Sequence, residues 1–287
     1  MHSPLRATRR LILFVLWTLL LMVPQSVLVR FRPKSAYVRK IPKSYHRVAT
    51  RILGLDVKVR GQISRERPTL FVCNHLSYMD IPVLGSLIEG SFVAKTEVGT
   101  WPGFGTLARL QRTVFVNRAK RSSSAEQADS MIGRLRDGDN LILFPEGTSS
   151  DGNRTLPFKS ALFAVASIEI NGQPLTVQPV TISCTHLDGI PIGRWLRSIY
   201  AWYGDMELPG HIWEMTGVGK LRIQVQFHAP MTVRDVGSRK ALATACWQKI
   251  SQGLSAANAG RTLPRPGASG PSHTSAGNGT DGRPAIA

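Results

Sequence analysis

His75 and Asp80 stand five residues apart in the stretch "VCNHLSYMD" (72–80), between the apolar runs "TLFVC" and "IPVLGSLI". On one continuous helix, side chains at that spacing point about 140° apart and cannot meet. They meet if His75 ends a strand, Asp80 opens a helix and the chain turns between them. An unperturbed imidazole titrates at about pH 6.5 and so can accept a proton near neutrality. A carboxylate holding one ring nitrogen leaves the other free for that proton, which is the His–Asp half of a catalytic triad. The serine half is missing: no Gly-x-Ser-x-Gly occurs, and Ser77 lies inside the turn. A His–Asp pair without a protein nucleophile points to a hydroxyl supplied by the substrate. Taken alone, a histidine and an aspartate sharing a loop carry little weight. Cys73, beside the motif, offers an acyl-carrying thiol as a second reading, against the ordinary one of a buried strand-end cysteine.

Three further blocks stand at or just after expected strands, where open α/β sheets build their sites. They are "RTVFVNR", ending in Arg118; "LFPEGTSSDGNRTLPFKSA", following "NLILF"; and "TVQPVTIS", with Pro179 inside an apolar run. In this order and at these separations, the four blocks resemble the glycerophospholipid acyltransferase family, best known for its lysophosphatidic acid acyltransferases. The resemblance runs from about residue 40 to about residue 230 and is carried mainly by "NHLSYMD" and "FPEGT". It implies that His75 deprotonates an acceptor hydroxyl, which attacks an acyl thioester directly, while Asp80 orients and charges the imidazole. It implies that Arg118 binds an anionic group of the acceptor, and that Glu146, Gly147 and Thr148 shape the acceptor site. The plainer readings are a surface salt bridge for Arg118, a capping carboxylate for Glu146, a turn glycine for Gly147 and a structural role for Pro179. One departure stands out. The family commonly has an arginine after F-P-E-G-T, where this chain has Ser149; Arg154 and Lys159 follow nearby as substitutes. "FPEGTSSDGNR", with "WYGDMELPGHIW" (202–213), resembles a bacterial branch that includes lyso-ornithine lipid acyltransferases.

These residues need a sheet and helices to position them. Alternating strand and helix patterns from 56 to about 235 predict an α/β fold, a mixed and largely buried sheet flanked by helices. The clearest helix starts at Ser124, where Gln127 completes a capping box and Gly138 stops the run. Ahead of this domain (56–256), residues 1–55 read as a membrane-anchoring helical segment. Its uncharged run "LILFVLWTLLLMVPQSVLV" (11–29) is about 28 Å long as a helix, near the thickness of a hydrocarbon core. No small-x-small cleavage site follows it, so it reads as an uncleaved anchor. "IPKSYHRVATRILGL" (41–55) reads as a basic amphipathic helix for the same membrane. Residues 257–287, rich in Gly, Pro, Ser and Ala, predict a disordered tail.

The chain has 36 Lys+Arg against 18 Asp+Glu, a net charge of +18. Residues 1–67 hold 15 of those cations and only Asp56 and Glu66 as acids. Cationic charge around an apolar segment favours an anionic membrane surface over nucleic acid, and no aromatic-rich basic stripe supports nucleic acid. Arg30, Arg32, Lys34, Arg39, Lys40 and Lys43 outnumber Arg6, Arg9 and Arg10, which predicts an inner-membrane protein with its catalytic domain in the cytoplasm. Three widely spaced cysteines fit neither a disulfide framework nor a zinc site. No metal is expected, since the His–Asp pair lacks further spaced ligands. The donor expected is acyl carrier protein or coenzyme A bearing an acyl thioester, with no other cofactor. Three readings stay open: a lyso-ornithine lipid acyltransferase, a 1-acylglycerol-3-phosphate acyltransferase, and a basic membrane-binding protein without chemistry.

Overall fold

The computed structural model describes residues 2–116 and 124–261. Helix α1 runs Pro4–Phe31 and α2 runs Tyr37–Ile52. Strands β1 (Leu55–Arg60) and β2 (Thr69–Cys73), helix α3 (Asp80–Leu87) and strand β3 (Gly90–Lys95) follow. A 3-10 turn (Thr96–Thr100), α4 (Phe104–Leu110), β4 (Val114–Val116), α5 (Ser124–Arg136) and β5 (Asn140–Leu143) continue the alternation. After a 3-10 stretch (Ser160–Ser167), the short strands β6 (Glu169–Ile170) and β7 (Gln173–Pro174) precede the long β8 (Thr176–Leu187). The chain closes through β9 (Ile190–Pro191), a 3-10 turn (Arg194–Ile199), α6 (Leu208–Gly217), β10 (Leu221–Phe227), α7 (Val233–Val236) and α8 (Arg239–Asn258).

The main sheet has the order β1-β10-β8-β2-β5-β3-β4, with β9 paired to β8. Only the β10–β8 and β8–β9 pairings are antiparallel, so the expectation of a mixed sheet holds among the described residues. Period-2 alternation sorts its side chains into two cores. Phe71, Cys73, Ile142, Val180 and Ile182 face one layer, with Val83 and Leu84 of α3 and Ile88 just after it. Leu70, Val72, Leu141, Leu143 and Val177 face the other, with Met131 and Leu135 of α5 and Leu242, Cys246 and Ile250 of α8. Each such side chain, fully buried, contributes about 1.5–3 kcal/mol relative to exposure. Pro179 is tolerated in the central β8 because its carbonyl, bonded by His228 N–H, faces the point where β10 ends. The missing N–H thus falls beyond the ladder.

α5 begins at Ser124 as predicted, but the side chains of its capping box lie outside the described residues, as does the tail from 262. α8 runs to Asn258, past the expected domain end at 256.

The N-terminal helices pack on the domain. α1 spans 28 residues and is tied down at both ends. Arg6 and Arg10 donate to the carbonyls of Gly217, Thr216, Val218 and Gly219, and Gln25 donates to those of Val38 and Leu110. Between these points Trp17 Nε1 donates to Tyr45 O. Ile12, Leu16, Leu19, Leu20, Val23 and Val27 stay exposed on the opposite face. α2 lies between α1 and α3, and part of its basic character serves the fold. Arg39 joins Arg112 and Arg134 around the buried Asp139, at 3.2, 3.2 and 3.4 Å.

Candidate active site

β2 and β5 are parallel neighbours, so their C-terminal ends release the chain at the same edge of the sheet. His75 follows β2, and Phe144 to Ser150 follow β5. Asn74 makes the exit from β2. Its Nδ2 donates to Ile182 O and its Oδ1 accepts from Ile182 N, both at 2.9 Å, extending the β2–β8 ladder with a side chain. The chain then turns and α3 opens at Asp80, so the pair meets as the spacing predicted.

His75 Nδ1 lies 2.8 Å from Asp80 Oδ2. The same oxygen accepts the backbone N–H groups of Leu76 at 2.7 Å and Ser77 at 3.0 Å. Asp80 Oδ1 accepts from the Tyr200 hydroxyl at 2.8 Å. Faced by donors on both oxygens, Asp80 serves as the acceptor, which puts the proton of His75 on Nδ1. Nε2 is then the acceptor, and it has no hydrogen-bond partner among the described residues. The ring stacks on Phe144, 4.2 Å between centroids, and its side chain keeps 22% exposure. It is a fixed imidazole with one open nitrogen.

The histidine's backbone is clamped by the loop after β5. Glu146 Oε1 accepts His75 N–H at 2.9 Å and Oε2 accepts Leu156 N–H at 2.9 Å. Ser150 N–H donates to His75 O at 2.9 Å. Burial raises Glu146 to about 8, against the two amide donors that lower it, and Asp80 adds to the rise. Its oxygens accept from both amides in either protonation state. With both oxygens committed and 3% exposure, Glu146 braces the base from behind. Gly147 is buried with φ +79°, a conformation that favours glycine, and Thr148 and Arg154 are exposed. Arg118 lies outside the described residues.

Glu146→Gln gives a direct check on that bracing. An amide offers one oxygen and one NH2 to two N–H donors, so one donor loses its partner, at about 1–3 kcal/mol. The expected result is a lower melting temperature together with reduced turnover. An unchanged melting temperature would contradict the double clamp.

Two contacts carried no local signal. Tyr200 stands 120 residues from Asp80. Trp202 N–H donates to Leu76 O at 2.9 Å, while the Ser149 hydroxyl donates to Trp202 O. The segment 200–202 therefore locks onto both motif loops. Cys73 is free and fully buried; burial, then Asp80 and Glu146, push its thiol well up, so it is a poor nucleophile. No cluster of three or more His, Cys, Asp or Glu fit to hold a metal occurs among the described residues.

A buried-sheet α/β fold with a His–Asp pair and one open ring nitrogen suits a class that takes a proton from a substrate hydroxyl. Residues 56–183 match the family described as Acyltransferase. The chain is 40% identical over 234 residues to a lyso-ornithine lipid O-acyltransferase of Brucella abortus, covering 80% of this chain and 88% of that protein. It is 31% identical over 212 residues to a 1-acyl-sn-glycerol-3-phosphate acyltransferase of Neisseria gonorrhoeae, covering 73% and 78%. Its fold matches the crystal structure of the 1-acyl-sn-glycerophosphate acyltransferase PlsC from Thermotoga maritima, with a TM-score of 0.57 at 24% identity, over 85% and 96% of the two chains. The chain belongs to the acyltransferase family, and it is an enzyme.

Proposed function

We propose that this acyltransferase esterifies the free hydroxyl of a lysolipid with a fatty acyl group from a thioester, and that the lysolipid is lyso-ornithine lipid. The open Nε2 of His75 carries the reaction type. The acceptor hydroxyl gives its proton to Nε2 as its oxygen attacks the thioester carbonyl. Asp80, already paired to Nδ1–H, stabilises the imidazolium that forms. The tetrahedral intermediate collapses, the C–S bond breaks, and the imidazolium returns the proton to the leaving sulfur. Ester and free thiol result, with atoms and charge balanced and no protein ester on the path. The thiol belongs to acyl carrier protein or coenzyme A.

Support for the acceptor comes from the 40% identity to the Brucella protein across 88% of its length. Ser149 fits this reading, since its hydroxyl holds Trp202 where other family members commonly carry an arginine. Of the acids nearest Ser149 in sequence, Glu146 is buried with both oxygens on backbone amides, while Asp151 accepts from Asn153 and stays half-buried. Arg118, Glu146, Gly147, Thr148 and Arg154 remain the proposed acceptor-site residues, Glu146 by holding the loop that shapes the site.

The enzyme is membrane-associated in this reading. With both ends of α1 bonded to the domain, the helix lies along it, and its exposed apolar face rests in the bilayer on the domain's own side. The basic residues of the N-terminal third favour the anionic cytoplasmic face of the inner membrane. Side-by-side assays of lyso-ornithine lipid and lysophosphatidate with the purified chain test the acceptor. Preferential acylation of lyso-ornithine lipid is expected. Acylation of lysophosphatidate alone would overturn the acceptor and leave the family unchanged.

A further inference from the structure

Away from the catalytic pair, Trp195 is 88% exposed, beside Leu196 at 49% and Ile190 at 71%. They lie on the β8–β9 hairpin and the 3-10 turn Arg194–Ile199, with Arg194 also exposed. Burying these side chains would contribute about 1.5–3 kcal/mol each, yet the fold leaves them in solvent. A tryptophan among arginines and aliphatic residues is the composition of a membrane–water boundary.

The hairpin end of the patch lies near the start of α1. A cavity of about 340 Å³ lined by His2, Ile199, Trp213, Glu214 and Val218 lies between the end of this turn and the N-terminus. Leu5, in the first turns of α1, is 80% exposed. The hairpin also reaches the same place: Asp188 pairs with the backbone of Lys220, next to the carbonyls that hold Arg10. In the other direction the turn runs at once into Tyr200, which bonds Asp80, and Trp202, which bonds Leu76. One short segment joins an apolar surface to the catalytic loops.

We propose that Ile190, Trp195 and Leu196 form a second membrane-docking surface, entering the boundary of an anionic lipid surface while Arg194 meets its headgroups. The inference rests on the lipid-acceptor reading above. Docking at this turn fixes the segment that braces Asp80 at the bilayer, so a lysolipid reaches His75 without leaving the lipid phase.

The test uses the full chain in vesicles of phosphatidylcholine and phosphatidylglycerol whose acyl chains carry bromine as a quencher. Trp195→Cys is labelled with an environment-sensitive dye, the native cysteines being buried. Ser167→Cys, at an exposed position by the α8 core layer, is the control. Quenching at position 195 is expected to exceed that at 167 by about threefold or more, as for a side chain in the interfacial layer. Equal, negligible quenching at both positions would overturn the proposal. So would dye shielding at 195 that follows protein density or added acyl carrier protein instead of lipid. In a second arm, Trp195→Ser with Leu196→Ser should slow acylation of vesicle-borne lysolipid about fivefold and leave detergent-dispersed acceptor unaffected. Equal rates for variant and wild type in both formats would count against docking. A wild type inactive on every acceptor, with quenching at 195 intact, would sink the enzymatic reading and support the surface.

Discussion

His75→Ala is expected to lower acyl transfer by on the order of a hundredfold to ten-thousandfold, the usual worth of a positioned general base. The fold should survive. The ring lies at the rim with 22% of its side chain exposed, and the clamps from Glu146 and Ser150 hold backbone atoms that alanine retains. The loss should therefore fall on turnover, with melting temperature and vesicle binding close to wild type. Near-normal activity in this variant would remove the base from the mechanism. Cys73→Ala serves as the comparison, because a covalent route through the thiol would make that variant inactive instead. The buried thiol, pushed up by burial, Asp80 and Glu146, argues for retained activity there.

Asp80→Asn is expected to cost on the order of a hundredfold in turnover, again with the fold retained. The geometry says why it should fold. Oδ2 faces three donors, His75 Nδ1 and the N–H groups of Leu76 and Ser77, so the asparagine oxygen must take that side. Its NH2 then meets Tyr200, whose hydroxyl can turn from donor to acceptor. Every hydrogen bond survives and the histidine tautomer is kept. The negative charge opposite the imidazolium is what disappears. Rates that fall while substrate saturation stays near wild type would match this account. Unchanged turnover would mean that Asp80 only positions the ring.

The part of this molecule legible in its sequence follows from locality. The strand "TLFVC", the turn and the helix opening at Asp80 lie within one short stretch, so residue spacing could bring His75 and Asp80 together. Apolar strand patterns likewise predicted the sheet. What the spacing could not convey was the use of side chains across long separations. Tyr200 reaches Asp80 and Asn74 reaches Ile182 through tertiary packing that leaves no periodic trace. Glu146 shows the same limit from the other side. Its motif resemblance implied a place in the acceptor site, and no spacing could convey that its carboxylate would hold two backbone amides there. Arg39, one of the cations behind the predicted orientation, is turned to a buried aspartate that only the folded chain brings near.

The most direct test of the mechanism follows the acyl group itself. The purified chain would be mixed with a radiolabelled acyl thioester, first alone and then with lyso-ornithine lipid, and both protein and lipid fractions counted after rapid quenching. The account predicts no label on the protein in either case and labelled diacyl ornithine lipid only when acceptor is present, with the signal lost in His75→Ala. Label that accumulates on the protein before acceptor is added, and then passes to the lipid, would contradict direct transfer.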